Sequence, residues 1–325
     1  MLQYILRRAL FSIPILILAS IVVFSAAKAS TSPLAGLRSN PRISQHDLIE
    51  YKKTLGLDRP AHVQYLTWLG NFIRGRWGAS LISQRAVAPD IREALANTAM
   101  LALIATAISV LLGVGIGVIS AVRQYTTFDY IATGGAFLGL SIPVFWFALI
   151  VQLVFSLYLT DWLHLREPIF YTAGMFRPGS TGFNVADRAR HLVLPVIVLS
   201  VQVVAIYSRY MRASMLDVLQ SDYLRTARAK GLSERRVLVR HAMRNALIPL
   251  TTVVALDLGA LAGGLIVTET IFEWPGMGRL FVDSMNRGDY AVVLPWMMVV
   301  VTSVIVFNLI ADVLYTVLDP RIRHD

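Results

Sequence analysis

The sequence predicts an all-α integral membrane protein with six transmembrane helices, because its composition is apolar and its apolar runs are long. Of the 325 residues, 56% are hydrophobic and only 15% are charged, and the mean hydropathy is +0.60. Soluble domains carry about 25% charged residues. Several runs reach the roughly 20 residues that a helix needs to cross the hydrocarbon core of a bilayer. Two soluble domains, which the length alone would allow, are therefore excluded.

The first apolar run, Ala9–Ala27, has features of both a signal peptide and a transmembrane helix. The stretch Ala27-Lys28-Ala29 at its end resembles a signal-peptidase site. The run is nevertheless longer than the roughly 7–15 residues of a signal-peptide core. We therefore expect a retained first transmembrane helix.

Five further apolar runs complete the predicted set, and one of them is too long for a straight span. They are Asn97–Val122, Tyr130–Leu159, His191–Met211, Asn245–Phe272 and Ala291–Leu318. The run from Tyr130 would extend about 45 Å as a continuous helix. It must tilt or break, and we expect the break at Ser141-Ile142-Pro143.

The distribution of basic residues predicts the orientation. The loop Arg209–Arg244 contains nine Lys or Arg residues and three acids, which indicates a cytoplasmic loop and places both termini inside. The loop Lys28–Arg92 contains ten Lys or Arg residues and yet falls outside. Loops longer than about 60 residues translocate largely regardless of charge, so this excess of basic residues does not contradict an outside location of the loop.

The spans divide the chain into four parts. They are a cytoplasmic N-terminus with the first span (1–27), an extracytoplasmic loop (28–96), a core of spans two to six (97–318) containing a cytoplasmic loop (212–245), and a cytoplasmic tail (319–325). Short amphipathic helices are expected in the outer loop. Ser44 is the predicted cap of one that ends at Gly56, and the apolar spacing of Val63–Ile73 predicts a second that ends at Gly75.

The basic loop between the fourth and fifth spans is predicted to form two short helices joined by a tight turn. Tyr223, Leu224 and Ala227 share one helix face. Gly231 lies where a helix would end in a left-handed residue, and Ser233 is the expected cap of the next helix. A small residue beside an exposed aromatic suits docking into a groove of a partner protein. A positively charged connector that only sets topology explains the residues equally well.

This loop, and motifs elsewhere in the chain, resemble the ABC-importer permeases of the dipeptide/oligopeptide family. The resemblance covers nearly the whole chain and is closest to the first of the two permeases in such systems. The matching stretches are Tyr223–Ser233, Arg240–Pro249, Tyr4–Pro14, Leu55–Leu66, Leu140–Trp146, Glu269–Arg279, Asp289–Tyr290 and Leu318–Arg323. One departure is that Arg225 stands where the general importer motif has a glutamate.

The resemblance implies a type I ABC-importer permease architecture with a long outer loop after the first helix, in a bacterial cytoplasmic membrane. It implies a second homologous permease, one or two ABC ATPases and an extracytoplasmic solute-binding protein as partners, besides membrane lipid. Helix Asp222–Lys230 would be the coupling helix that an ATPase grips. The implied coupling residues are Asp222, Tyr223, Leu224, Ala227, Arg228, Lys230, Gly231 and Ser233.

The chain itself is not expected to be an enzyme. No lysine follows a glycine, so a phosphate-binding Gly-Lys loop is absent from the sequence, and ATP and Mg²⁺ belong to the partner ATPases. The six histidines are scattered without ligand spacing, so we expect no metal and no cofactor on this chain. The net charge of +10 does not indicate nucleic acid, because the basic residues flank apolar spans.

Polar residues within spans are candidates for the translocation path, because polar groups in a bilayer face protein or water. Asp257 lies near mid-depth of the fifth span and Gln202 lies in the fourth. A structural hydrogen bond to a neighbouring helix is the open alternative for Asp257. Asp312, near the cytoplasmic end of the sixth span, is interpreted as structural.

The outer turn Trp274-Pro275-Gly276 is predicted to contact the binding protein or to cap an outer gate. The alternative is an interfacial aromatic anchor. Three GxxxG pairs are expected to bring helix backbones together or, alternatively, to let helix faces slide: Gly113 with Gly117, Gly135 with Gly139, and Gly259 with Gly263.

The substrate is the least determined property. Peptides follow from the resemblance alone, and relatives of the same type import nickel or other small solutes. A self-sufficient secondary transporter or channel, and a membrane anchor that only assembles other proteins, remain alternatives.

Overall fold

The computed structural model describes residues 2–30, 44, 46, 49, 53, 56, 58–80, 82–177, 179, 184–261 and 263–318. Of residues 2–5, 30 and 314–318 it describes the backbone alone. Within these ranges the regular secondary structure is helical, apart from one isolated β-bridge between Ala79 and Ala86. The predicted helix from Ser44 to Gly56 lies largely outside the described residues.

The described helices are numbered here in chain order. They are α1 (Leu2–Ser30), α2 (Ala61–Ile73), α3 (Val87–Val122), α4 (Thr127–Ser141), α5 (Val144–Trp162), α6 (Val185–Leu219), α7 (Asp222–Ala229), α8 (Glu234–Leu261), α9 (Ile266–Ile271), α10 (Met277–Arg287) and α11 (Tyr290–Leu318). Six of them are long and apolar enough to cross a membrane, namely α1, α3, α5, α6, α8 and α11. The predicted number of six spans is thereby confirmed, although α3 and α6 extend beyond the predicted ends.

The third span breaks where the sequence predicts. Helix α4 ends at Ser141, Ile142 is extended, and α5 begins at Val144 directly after Pro143. The residue before a proline is disfavoured in the helical region, which explains the extended Ile142. The side-chain amide of Gln202 on α6 donates a hydrogen bond of 2.9 Å to the Ile142 carbonyl oxygen. Gln202 thus stabilises the break.

The predicted fifth span, Asn245–Phe272, is wrong at its outer end. Helix α8 stops at Leu261, and the separate short helix α9 begins at Ile266. Gly264 between them has φ +88°, a conformation that side chains other than glycine rarely adopt. The apolar composition continues through this point, but the helix ends at Leu261 and does not extend to Phe272.

Two of the three glycine pairs bring helix backbones together, as the packing interpretation predicts. A Cβ atom built at Gly113 or Gly117 would lie within 2.7 Å of an atom of α6. One built at Gly259 would lie 2.9 Å from the Cβ of Phe307 on α11. Gly135 differs, because no neighbouring described atom lies within 4 Å of its Cβ position.

The outer loop contains the predicted amphipathic helix. Helix α2 ends at Ile73, and Gly75 follows with φ +71°, as the sequence indicates. The hydroxyls of Tyr65 on α2 and Ser20 on α1 lie 2.7 Å apart. The Phe24 ring on α1 lies 5.6 Å from the rings of both Tyr65 and Trp68. Aromatic contacts therefore attach α2 to the C-terminal half of α1.

An ion pair joins the first and last spans, near the beginning of α1 and the end of α11. Nε of Arg8 lies 2.5 Å from Oδ2 of Asp312. This contact agrees with the structural interpretation of Asp312.

Candidate functional site

The candidate coupling loop has the predicted two-helix shape. Helix α7 begins after the extended residue Ser221, with Asp222 in its first turn, where a negative charge is favourable. Gly231 has φ +78°, and its amide donates to the Arg228 carbonyl at 2.9 Å. The left-handed corner expected at Gly231 is therefore present. It reverses the chain between α7 and α8.

Leu224 and Ala227 face their own chain, which corrects the expectation that they offer a docking surface. Leu224 is fully buried and Ala227 is 8% exposed. The residues around them come from α3, α6 and α8 and form one apolar cluster, whose fully buried members include Tyr207, Met211, Met215, Val237, Ala242 and Ala246. Leu224 and Ala227 thus attach α7 to α3, α6 and α8.

Two polar contacts reinforce this attachment. The side-chain amide of Asn245 on α8 donates a 2.7 Å hydrogen bond to the Tyr223 hydroxyl. The guanidinium of Arg228 donates to both carboxylate oxygens of Glu234, at 3.2 and 2.9 Å, across the glycine corner. This hydrogen bonding raises the pKa of Arg228 above its ordinary value. These two contacts therefore connect α7 to α8.

The predicted cap at Ser233 differs in detail. Its side chain makes no capping hydrogen bond. Its carbonyl accepts instead from the amides of Arg236 and Val237, at 2.9 and 3.0 Å. Among the described residues, backbone hydrogen bonds therefore begin α8 here.

The outward face of α7 is polar and exposed. Arg225 and Asp222 lie 3.5 Å apart, and their side chains are 74% and 96% exposed. Lys230 and Arg228 are exposed as well, and the Tyr223 ring is 42% exposed. Among the predicted coupling residues, these are the ones that a partner could contact directly.

A second polar cluster, not found from the sequence, lies where α4 begins. The carboxylate of Asp129, 3% exposed, accepts from the Arg212 guanidinium at 2.7 and 2.8 Å. It also accepts from the Ser120 hydroxyl at 2.9 Å and the Tyr125 amide at 3.0 Å. Arg212 lies on α6, seven residues before its end. The cluster therefore fixes the α3–α4 turn to α6 beside the coupling loop.

Asp257 makes an interhelical hydrogen bond. The buried Tyr207 on α6 donates its hydroxyl to Asp257 Oδ2 on α8 at 2.9 Å. Gln202 likewise has a partner, the Ile142 carbonyl described above. Both candidate path residues thus have contacts within the chain. Their part in translocation remains a prediction.

The outer turn is organised by a buried carboxylate, Glu269, that sequence reasoning missed. Glu269 is fully buried, and its Oε1 accepts from the Thr98 hydroxyl at 2.6 Å and the Leu265 amide at 3.3 Å. Its Oε2 accepts from the amides of Gly278 and Arg279 at 2.6 and 3.2 Å, in the first turn of α10. The charge is favourably placed at this helix N-terminus.

Trp274 is fully buried, so it lacks the exposed surface that a partner contact or an interfacial anchor requires, and the outer-gate interpretation stays a prediction. Its indole N–H donates to the Asn97 carbonyl at 3.1 Å, and the Asn97 side chain donates to the Pro275 carbonyl at 2.9 Å. These bonds hold the Trp274 side chain inside the chain, against α3. Gly276 is buried too. A Cβ atom there would lie 2.5 Å from the Glu269 carboxyl group, so the position has no room for a side chain. Pro275 is the exposed part of the turn.

Comparison with known proteins places this membrane-embedded helical chain among transport proteins. Residues 113–324 match the model of the family described as "Binding-protein-dependent transport system inner membrane component". Residues 1–108 match the model of the N-terminal part of such membrane components. The chain belongs to this family of binding-protein-dependent inner-membrane transport components.

Relatives match along their full length. The chain is 43% identical over 325 residues to the oligopeptide transport system permease protein AppB of Bacillus subtilis (strain 168), covering all of both chains. It is 38% identical over 334 residues to the dipeptide transport system permease protein DppB of Alkalihalophilus pseudofirmus, again covering all of both. It is 36% identical over 338 residues to DppB of Escherichia coli (strain K12), covering 100% of this chain and 99% of that protein.

Proposed function

We propose that this chain is the first permease subunit of an ATP-driven importer that moves di- or oligopeptides across a bacterial cytoplasmic membrane. The observation that carries the proposal is the full-length similarity to oligopeptide and dipeptide permeases, at 36 to 43% identity. The buried anchoring of α7 supports the coupling part of the proposal. The proposed complex also contains a second homologous permease, one or two ABC ATPases and an extracytoplasmic solute-binding protein.

ATP and Mg²⁺ belong to the ATPases in this proposal, and the chain contributes the pathway and the mechanical link. Both termini and the coupling loop face the cytoplasm. The ATPase contacts the exposed face of α7 through Asp222, Arg225 and Lys230. Closure of the ATPases displaces α7, and the buried Leu224 transmits that displacement to the inner ends of the spans.

The spans then tilt as linked units. The Asp129–Arg212 pair joins the α3–α4 turn to α6, and the Tyr207–Asp257 hydrogen bond joins α6 to α8. At the outer face, the Glu269 network ties α9 and α10 to Thr98 on α3. Motion at the cytoplasmic end can thus open or close the outer end, which is alternating access by movement of rigid units.

The proposal is tested by purifying the tagged chain in mild detergent and identifying its partners by mass spectrometry. A second six-span permease, one or two ATPases and an exported binding protein are expected, with peptide carried on the binding protein. Nickel or another small solute on the binding protein would refute the peptide as substrate, but it would not contradict the proposal that the complex is an importer. A chain that emerges alone and catalyses uptake into liposomes without ATP would refute the importer itself.

A further inference from the structure

A cavity of about 350 Å³ lies at the outer face, and none of its described lining residues belongs to the coupling loop or is a partner of Glu269. It opens between the outer end of α1, helix α2, the segment after α2 and the beginning of α11. Phe24, Trp68 and Leu294 contribute apolar walls. The volume falls in the range of about 300–1,000 Å³ that is typical of small-molecule sites.

The charge of this cavity is one-sided. Lys28, Arg59 and Arg76 line it, and none of the described residues that line it is Asp or Glu. All three cations are exposed, and none of them forms an ion pair with a described carboxylate. An anionic ligand would therefore gain favourable contacts without displacing any carboxylate of the described residues.

The position of the cavity indicates an amphiphile. Its walls include the outer ends of two membrane-crossing helices, so it lies at the level where lipid headgroups meet the acyl chains. Helix α2 exposes Leu66 and Ile73, which lie seven residues apart on one face and are 63% and 75% exposed. Exposed apolar side chains of this kind favour a position of α2 in the membrane interface.

We propose that this cavity binds an anionic phospholipid of the outer leaflet. The phosphate contacts Lys28, Arg59 and Arg76, and the upper acyl chains pack on Phe24, Trp68 and Leu294. The site also gives a role to the basic residues of the outer loop, which the positive-inside rule does not explain. The inference does not depend on which solute the chain transports.

Native mass spectrometry of the purified complex tests this site. The complex is placed in phosphatidylcholine nanodiscs with increasing phosphatidylglycerol, and the apparent affinity for the first phosphatidylglycerol is measured. Each basic residue near an anionic headgroup contributes about fivefold in affinity. The Arg59→Gln/Arg76→Gln double variant is therefore expected to weaken phosphatidylglycerol binding about 30-fold, relative to phosphatidylcholine.

Two further variants separate the cavity from general surface charge. Arg74→Gln/Arg92→Gln removes the same charge from exposed positions outside the cavity and should change the affinity less than about threefold. Thr67→Trp fills the cavity from the exposed side of α2 without changing charge, and it should also reduce retention of the first phosphatidylglycerol.

Several outcomes would overturn the proposal. Equal losses in the two arginine pairs would show a non-specific charge effect, and equal binding of the two lipids would exclude selectivity for an anion. Displacement of phosphatidylglycerol by inorganic phosphate would identify a free-anion site. Displacement by a peptide with a free carboxyl terminus would place the cavity on the route of the solute.

Discussion

Replacing Leu224 by alanine tests whether α7 transmits force through its buried attachment. Helix α7 has eight residues, and isolated helices shorter than about 12–15 residues are marginal in water. Its position must therefore come from contacts. The Tyr223–Asn245 hydrogen bond contributes about 1 kcal/mol, and the exposed Arg228–Glu234 pair about 0.2–1 kcal/mol.

Truncation of a fully buried leucine costs about 2–5 kcal/mol, which exceeds these polar contributions. Two kcal/mol corresponds to about a 30-fold shift in a population. We therefore expect that the Leu224→Ala substitution detaches α7 from α3, α6 and α8 in most molecules. The complex should continue to hydrolyse ATP but lose most of its coupled uptake.

The assay is the ratio of solute taken up to ATP hydrolysed, in proteoliposomes containing the purified complex. Val239→Ala is the matched control, because this residue lies in the same loop and is 53% exposed. Leu224→Met conserves volume and should cost less than about 1.5 kcal/mol, so it should stay coupled. An unchanged ratio in Leu224→Ala, with normal amounts of complex, would refute the reasoning.

Three other variants have expected outcomes. Gly231→Ala places a side chain at φ +78°, at a cost of about 1–2 kcal/mol, and should lower uptake several-fold, whereas Gly231→Asn should stay close to the parent. Arg212→Leu leaves Asp129 buried without its cation, which should lower the stability of the detergent-solubilised complex by about 3–5 kcal/mol in thermal unfolding. Adding Asp129→Asn to this variant should recover most of the lost stability. Glu269→Gln replaces an acceptor oxygen by a donor facing N–H or O–H groups and should cost about 1–3 kcal/mol in the same measurement.

Each of these variants has a control in the chain. Gly115→Ala introduces a methyl group into a helix where no described atom lies within 4 Å, so it should not affect uptake. Arg209→Leu removes an exposed cation three residues before Arg212. Glu273→Gln neutralises a carboxylate that is 62% exposed, four residues after Glu269. Effects in the controls as large as in the variants would contradict the specific explanations.

Features set by local sequence were predicted well. The break in the third span follows from Pro143 and the residue before it, and the corner of the coupling loop follows from Gly231. Helix α2 follows from its apolar spacing. The break, the corner and helix α2 each depend on residues within a few positions of one another. Over such short distances, backbone preferences and apolar periodicity are enough to predict the local structure.

Features that depend on distant partners were missed. Glu269 meets Thr98, which lies 171 residues earlier, and Arg212 meets Asp129 across 83 residues. A helical pattern shows that Leu224 and Ala227 share a face, but it does not show that their own chain covers it. The end of α8 was misplaced because hydropathy continues through the turn at Gly264. A lone acid in an apolar stretch, such as Glu269, is the signal that could have indicated a buried network.

Cross-linking of α7 is the measurement that tests the central claim most directly. The chain contains no cysteine, so a single cysteine at an exposed or a buried position of α7 can carry a photoreactive thiol reagent in the intact complex. We predict that Arg225→Cys yields an adduct with an ATPase subunit and that Ala227→Cys, whose side chain faces the spans, does not. A complex that imports its solute with ATP and yet gives no ATPase adduct from Arg225→Cys would contradict the coupling role of α7.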